Sequence, residues 1–363
     1  MSSATGDETT RRTSPESDAP TDGDVTDSAG SFDAASTTPR SAAADPDALT
    51  PAGADPSPVH PAPIDGTADD IEPGAASVDE RKQIRRERRK LLLTSPAFVI
   101  GCVIVGFWIL SALVPGWFTQ WGPTEVVRLA DGSTIPRTGP NADAWFGTDA
   151  IGNDVFARVI YGARPVLILA PVAALLSVIA GTLLGLVMGY LRGWVDEVLS
   201  RIIEAFLSIP VILLALMVLV IFGRSRLVII FTIAVLFTPV VTRTVRSAVM
   251  TEAQLDYVTS AKLRGENSLY IMTREILPNI TSVIVVEFTV RVGYAIFTVA
   301  TLAFLGLTAD DATSADWGRD VANNYSLIQA DQWWPSVFPA LAIASLVIAV
   351  NLIADSLDRV SKA

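Results

Sequence analysis

Six long apolar runs are the feature of this sequence that most restricts its fold. They lie near residues 96–115, 164–190, 199–222, 227–248, 281–306 and 336–355. Each run is long enough to cross about 30 Å of hydrocarbon as a helix. A helix is required because a chain in lipid must satisfy its backbone hydrogen bonds internally. The sequence therefore predicts an all-α integral membrane protein with six transmembrane helices.

The segment before the first run has a different composition. Residues 1–80 hold 17 Asp and Glu against 3 Lys and Arg, and they are rich in Ser, Thr, Ala, Pro and Gly. Such a segment buries too little apolar surface to offset the entropy cost of folding. We expect a long disordered acidic tail here, and a docking role for the tail is the alternative. Most of the net charge of −11 comes from this tail, so the charge says little about partners of the folded part.

A basic juxtamembrane segment, residues 81–95, follows the tail. Seven of the ten residues from Arg81 to Lys90 are basic, and the first apolar run begins soon afterwards. Basic residues beside a span favour the cytoplasmic side, so we expect a cytoplasmic N-terminus. Six spans then return the C-terminus to the cytoplasm of a multi-pass plasma-membrane protein. This context accounts for the basic run without nucleic acid, and the apolar run is too long for a signal peptide.

The chain offers few residues for catalysis or metal binding. It has one cysteine, Cys102, and one histidine, His60, which lies in the tail. A His/Cys metal site and a nucleophile–histidine triad are therefore not expected. None of the four lysines follows a glycine, so the chain lacks a Walker A motif for ATP. The sequence predicts no catalytic, cofactor-binding or metal site, and hence no enzyme.

Three glycines in the second run share one helix face. Gly181, Gly185 and Gly189 recur every four residues. Small residues at this spacing let a neighbouring helix approach closely. We expect the face to pack within the chain, with a subunit interface or pore as the alternative.

Three charges fall inside the predicted spans or at their edges. Glu204 lies in the third run, whereas Glu287 and Arg291 lie in the fifth. Glu287 and Arg291 are four residues apart, so they share a helix face and can pair. A charge in a bilayer normally faces protein or water. Internal pairing is the simpler interpretation, and lining of a polar pathway is the alternative.

A polar stretch precedes the second run. Thr148 and Asp149 are candidate N-caps, and an apolar face follows from Phe156 onwards. Asp154 and Arg158 are spaced to pair on a helix. We expect a short amphipathic helix that lies along the outer surface and leads into the second span.

A second polar stretch, residues 249–280, separates the fourth and fifth runs. Glu252 to Arg264 contains no Pro or Gly and is rich in helix formers, so a helix is expected there. Gly265 can end that helix, and Ser268 can cap a second one that stops before Pro278. Connectors between spans are usually shorter, so this helical pair is either a docking element or a plain linker.

This second stretch carries a family resemblance. Residues 256–265 read Asp-Tyr-Val-Thr-Ser-Ala-Lys-Leu-Arg-Gly, and residues 276–279 read Ile-Leu-Pro-Asn. Together they resemble the cytoplasmic "EAA" loop of ABC importer permeases. Other segments are similar to the dipeptide/oligopeptide/nickel group and its C-type subunit, over roughly residues 90–358. These segments are Gly147–Asp149, Gly152–Asp154, Tyr161–Arg164, Gly185–Tyr190, Gly193–Asp196, Ser208–Pro210, Phe304–Leu307 and Trp317–Gly318.

The resemblance implies a fold and a set of partners. The fold would be that of a type I ABC importer permease, with six core spans in residues 96–358. A second permease subunit would complete the pathway, most simply as a heterodimer. ABC ATPase subunits would dock on the 249–280 loop, and an extracytoplasmic solute-binding protein would deliver the substrate. The residues implied in ATPase coupling are Asp256, Tyr257, Ala261, Lys262, Leu263, Arg264, Gly265, Ser268, Pro278 and Asn279.

The sequence departs from the family pattern at several positions. The "Glu-Ala-Ala" element reads Thr259-Ser260-Ala261, Asn153 replaces a usual Arg, and Arg291 and Val299 stand where acids are common. The substrate is therefore left open among dipeptides, oligopeptides, nickel and sugars. An ion-gradient-driven secondary transporter is the alternative function, and it would need carboxylates near mid-membrane and inverted repeats. A membrane-embedded enzyme would need convergent polar groups, which the spans scarcely offer.

Overall fold

The computed structural model describes residues 93–128, 134, 136–308 and 314–362. The predicted acidic tail and all but the last residues of the basic segment lie outside these ranges. Within them the chain is helical, and the only strand-like pairings are three isolated β-bridges in the segments around residues 126–154. The prediction of an all-α membrane protein is confirmed.

Nine helices of the described residues carry the architecture. They are α1 (Pro96–Leu113), α2 (Val155–Leu191), α3 (Gly193–Leu207), α4 (Val211–Phe222), α5 (Arg226–Glu252), α6 (Asp256–Leu263), α7 (Thr281–Phe304), α8 (Trp317–Asn324) and α9 (Trp334–Lys362). Two 3₁₀ turns, Pro115–Trp117 and Tyr325–Ala330, lie beside α1 and α8. Between α6 and α7, the helical turns Ser268–Tyr270 and Leu277–Asn279 flank a π-helical turn, Ile271–Ile276.

Five of these helices are long and apolar enough to cross a membrane, and a sixth span is made in two pieces. The five are α1, α2, α5, α7 and α9. The helices α3 and α4 qualify only together, and they are bent by 86° at a short break. The prediction of one continuous helix over residues 199–222 is therefore wrong. Pro210 cannot donate a backbone hydrogen bond and disfavours helical geometry in the residue before it, so α3 ends at Leu207.

The second span begins earlier than its apolar run. Asp154 caps α2, because its carboxylate accepts hydrogen bonds from the backbone nitrogens of Phe156 and Ala157 at 3.3 and 3.0 Å. The predicted separate amphipathic helix is therefore the first part of α2, and neither Thr148 nor Asp149 is its cap. Pro165 and Pro171 lie inside the helix without ending it, as neighbouring helices allow in a membrane bundle.

The glycine face of α2 packs against α5. A Cβ on any of the three glycines would overlap the side chain of a valine that recurs at the same spacing on α5. The pairs are Gly181 with Val241 at 2.6 Å, Gly185 with Val245 at 2.8 Å and Gly189 with Val249 at 2.7 Å. The expectation of packing within the chain is therefore met, and these glycines serve a close helix pair rather than a surface.

The connections between helices gather at two ends of the bundle. At one end, which we call the loop end, Arg224 donates to the carbonyl oxygen of Gly306 at 2.9 Å. The indole of Trp334 likewise donates to the carbonyl oxygen of Thr148 at 3.0 Å. At the other end, which we call the coupling end, Arg192 donates to the carbonyl oxygen of Met250 at 3.2 Å. The polar stretch 252–280 therefore lies across the bundle from the loop that contains Thr148.

Candidate coupling site and charges in the spans

The first coupling helix, α6, is shorter than predicted. A turn at residues 253–255 separates it from α5, where the backbone nitrogen of Leu255 donates to the carbonyl oxygen of Glu252 at 3.1 Å. Extended backbone at Leu255 starts a new helix, so the helix expected from Glu252 to Arg264 covers only Asp256–Leu263, and Glu252 is the last residue of α5. Asp256 in the first turn and Lys262 in the last turn complement the helix dipole.

Gly265 ends α6 as predicted. Its φ is +79°, a left-handed conformation that other residues adopt at a cost. The backbone nitrogen of Gly265 donates to the carbonyl oxygen of Lys262 at 3.0 Å, and that of Glu266 donates to Ala261 at 3.2 Å. This pair of bonds is the Schellman pattern that satisfies the last carbonyls of a helix. A Cβ at Gly265 would meet nothing within 4 Å, so backbone conformation alone restricts this position.

Two predictions about the second half of the stretch are wrong. Asn267, not Ser268, caps it, because the side-chain oxygen of Asn267 accepts from the backbone nitrogen of Leu269 at 3.3 Å. The helical backbone also continues through Pro278 instead of stopping before it. The π-helical turn ends at Ile276, so Pro278 falls in the first turn of a new helical piece. A proline is tolerated there because its missing N–H would have no intrahelical partner.

The coupling stretch has a buried face and an exposed tip. Val258 and Ala261 of α6 are fully buried. They join one apolar cluster with residues of α2, α5, the π-helical turn and the position just before α7, namely Val178, Leu186, Val241, Val245, Val249, Ile271, Ile276 and Ile280. The tip, residues 262–265, is exposed, and the Leu263 side chain is 85% accessible. The element is thus anchored in the bundle while its tip remains open to a partner.

The predicted coupling residues fall into three groups. Ala261 is buried, and Tyr257 is half-buried. The other eight are exposed, namely Asp256, Lys262, Leu263, Arg264, Gly265, Ser268, Pro278 and Asn279. The Lys262 ammonium lies 5.2 Å from the centre of the Tyr190 ring on α2, within the range of a cation–π contact.

Tyr257 joins residues that the sequence does not mark as partners. Its hydroxyl donates to Oε1 of Glu252 at 2.6 Å and accepts from Nδ2 of Asn279 at 2.9 Å. Burial, followed by the hydrogen bond to Glu252, raises the pKa of Tyr257 to about 12. Tyr257 and Asn279 were expected at this site, whereas Glu252 was expected only as the first residue of a helix.

The charges in the spans have different surroundings. Glu287 and Arg291 form the predicted pair, with Nε of Arg291 donating to Oε1 of Glu287 at 2.8 Å. Their side chains are only 10% and 12% accessible, so the pair is buried in the bundle. Glu204 lies in α3, the first piece of the bent span. There it is 51% accessible and pairs with Arg201 at 3.3 Å.

A second ion pair ties α2 to the loop end. Arg158 does not pair with Asp154 as predicted, because the Asp154 carboxylate caps the helix. The Arg158 guanidinium instead donates to Oδ1 of Asp320 on α8 and to the carbonyl oxygen of Pro123. Burial raises the pKa of Asp320 to about 6, and the Arg158 charge opposes that shift. Sequence spacing could not find this pair, since 162 residues separate its members.

Two further groups complete the region before α2. Asp149 holds the loop, because its Oδ1 accepts from the backbone nitrogens of Ile151 and Asn153 at 3.0 and 2.9 Å. The indole of Trp317 donates to the carbonyl oxygen of Val159 at 2.8 Å, which fixes α8 against α2. Among the residues that the structure describes, no group of three or more His, Cys, Asp or Glu is placed to hold a metal ion.

The fold and this polar helical element between two spans define a multi-pass permease subunit. The sequence model for the binding-protein-dependent transport system inner membrane component matches residues 181–362. A dipeptide transport system permease protein of Alkalihalophilus pseudofirmus is 35% identical over 275 residues, which are 75% of this chain and 87% of that protein.

Two other relatives give the same picture. A probable D,D-dipeptide transport system permease protein of Escherichia coli is 33% identical over 287 residues, 78% of this chain and 93% of its own. A glutathione transport system permease protein of Pectobacterium atrosepticum is 32% identical over 271 residues, 74% of this chain and 86% of its own. The chain belongs to the family of binding-protein-dependent transport system inner membrane components.

Proposed function

We propose that the protein is one of two permease subunits of an ATP-driven importer and that ATPase subunits dock on residues 252–280. The observation that carries this proposal is the geometry of α6. Its buried face is anchored to α2 and α5, while its tip from Lys262 to Gly265 is exposed. A partner that moves this tip would move the inner ends of the spans with it. The chain has no Walker A motif, so the ATPase must be another subunit.

The coupling end faces the cytoplasm in this proposal, and both chain termini lie on that side. Basic residues support this orientation. The Arg- and Lys-rich residues 81–90 precede α1, and Gly101 near the start of α1 lies against Ala349 and Ile353 in the half of α9 toward the coupling end. Further basic residues lie in the last turns of α5 and in the coupling stretch, namely Arg243, Arg246, Lys262, Arg264 and Arg274. Such residues concentrate on the cytoplasmic side of membrane proteins.

The proposed substrates are small peptides, delivered by an extracytoplasmic solute-binding protein. Support comes from the relatives, which are named for transport of dipeptides, D,D-dipeptides and glutathione. The second permease subunit would be a different chain of the same family, giving a heterodimer. The buried Glu287–Arg291 pair stabilises α7 internally in this proposal rather than binding solute. Nothing in the comparisons supports the ion-gradient-driven alternative.

The test is purification from the native membrane followed by transport in proteoliposomes. We expect an ATPase subunit to co-purify and uptake of a labelled dipeptide to require ATP and the binding protein. Uptake that persists without ATP but stops when the ion gradient is collapsed would overturn the proposal. The charge reversal Lys262→Glu with Arg264→Glu should abolish ATPase co-purification while the protein still inserts. Reversal of the exposed Arg128 at the loop end is the control and should leave co-purification intact.

A further inference from the structure

The Tyr257 hydroxyl lies where three segments of the coupling end meet. It donates to the carboxylate of Glu252, the last residue of α5, at 2.6 Å. It accepts from the side-chain amide of Asn279, which lies two residues before α7 begins, at 2.9 Å. The same amide donates to the carbonyl oxygen of Glu275 at 2.8 Å, which fixes its orientation. One hydroxyl on α6 therefore bonds to the end of α5 and to the approach to α7.

Other contacts at this junction are less directional. The apolar cluster around Val258 and Ile276 resists exposure to water, but it fixes no particular geometry. Arg264 approaches Glu275 at 3.8 Å in an accessible position, where an ion pair contributes little. Among the hydrogen bonds of residues 136–308, no other side chain bonds to both Glu252 and Asn279.

We propose that Tyr257 is a positioning residue that joins α5 and α7 into one moving body. A displacement of α6 by the ATPase would then carry both spans together. Without the hydroxyl, the same displacement would move α6 relative to the spans, and part of the motion would be lost. This inference rests on the proposed function, because it concerns how ATPase motion reaches the spans.

The chemistry of the bonds suits a permanent link. A donor bonded to a carboxylate makes a stronger hydrogen bond than a neutral pair does. The phenol stays protonated at physiological pH, since burial and Glu252 hold its pKa far above neutrality. The ring is half-buried against the apolar cluster, so a phenylalanine would keep the packing and lose both bonds.

The experiment compares transport with ATP hydrolysis in the complete transporter, reconstituted with the second permease, the ATPase and the binding protein. For Tyr257→Phe, we expect dipeptide uptake per ATP hydrolysed to fall about tenfold, the change that corresponds to loss of one hydrogen bond to a charged group. The exposed tip, residues 262–265, is unchanged in this variant, so the ATPase should still co-purify, and the melting temperature should fall by only a few degrees. Tyr325→Phe, which removes an exposed hydroxyl at the loop end, is the matched control and should keep the wild-type ratio.

A second variant removes the same hydrogen bond from its other partner, so the test does not depend on the folding of Tyr257→Phe alone. Asn279→Ala should lower the ratio of uptake to ATP hydrolysis, and adding it to Tyr257→Phe should lower the ratio little further, because both remove one shared bond. An unchanged ratio in Tyr257→Phe would overturn the inference while leaving the proposed function standing. If the wild type itself shows no ATP-dependent uptake, the proposed function fails instead.

Discussion

Gly185 lies where the backbones of α2 and α5 run in contact. A Cβ at this position would sit 2.8 Å from Val245 and 3.0 Å from the backbone nitrogen of Arg246. Gly185→Ala must therefore push the two helices apart, and overpacking of this kind costs about 1 to 3 kcal/mol. We expect a lower melting temperature in detergent. Gly106→Ala on α1 is the control, because a Cβ there meets nothing within 4 Å and should leave the melting temperature unchanged or slightly raised.

Asp320 gives the loop end a pH dependence whose sign can be worked out. Its pKa rises from 3.8 to about 6, chiefly through burial, and nearby Asp149 and Asp316 act in the same direction against Arg158. The native state then binds more protons than the unfolded chain between about pH 4 and pH 6. Stability should be fully present below this window and fall as the pH rises through it.

The measurement is the melting temperature of the purified protein at several pH values. Asp320→Asn should flatten the slope between about pH 4 and pH 6, since no group titrates at that site. The control Asp331→Asn changes an exposed residue nearby and should keep the wild-type slope. An unchanged slope in Asp320→Asn would show that another group causes it.

At the scale of elements, the left-handed backbone conformation of Gly265 restricts which residue types can replace it. A φ of +79° suits glycine and, less well, asparagine, whereas β-branched residues are strained there by about 1 to 3 kcal/mol. Gly265→Val should therefore distort the end of α6 and reduce ATP-driven uptake, although the protein still inserts. Gly265→Asn should retain most of the uptake. Equal uptake by the two variants would argue against a role for this conformation.

Some elements could be predicted from the sequence, and others could not. The positions of α1, α5, α7 and α9 follow from hydropathy, because each is one apolar run. The break between α3 and α4 does not, since an average over the run hides Pro210 and the polar residues before it. The start of α2 depended on which of several acidic and hydroxyl side chains caps it, and local patterns favoured the wrong ones.

The features of the candidate site likewise include some that the sequence predicts and some that it does not. Gly265 and the Glu287–Arg291 pair depend on spacings of a few residues, so the sequence was sufficient to predict them. The Tyr257 junction depends on how α5, α6 and the approach to α7 fold back on one another. The Arg158–Asp320 pair requires two segments 162 residues apart to meet. Such contacts follow from the packing of the whole bundle, which no short pattern encodes.

At the scale of the whole molecule, each end of the helix bundle is held together by its own set of contacts. The loop end is fastened by Arg158, Trp317 and Trp334, and the coupling end by Tyr257 and the apolar cluster around it. The acidic composition of residues 1–80 offers little apolar surface for joining either end. The two ends are therefore expected to work without that segment.

Two truncations test this expectation and separate the tail from the basic segment. A chain lacking residues 1–75 should insert, assemble with the ATPase and transport dipeptide at nearly the wild-type rate. A chain in which the basic residues of 81–90 are also replaced by Gln or Ser should insert less efficiently or in mixed orientation, because the charge bias before α1 is gone. Accessibility of an epitope at the C-terminus reports the orientation. Loss of transport in the first truncation alone would mean that the acidic tail takes part in assembly or regulation, whereas loss only in the second would assign the N-terminal contribution to membrane topology.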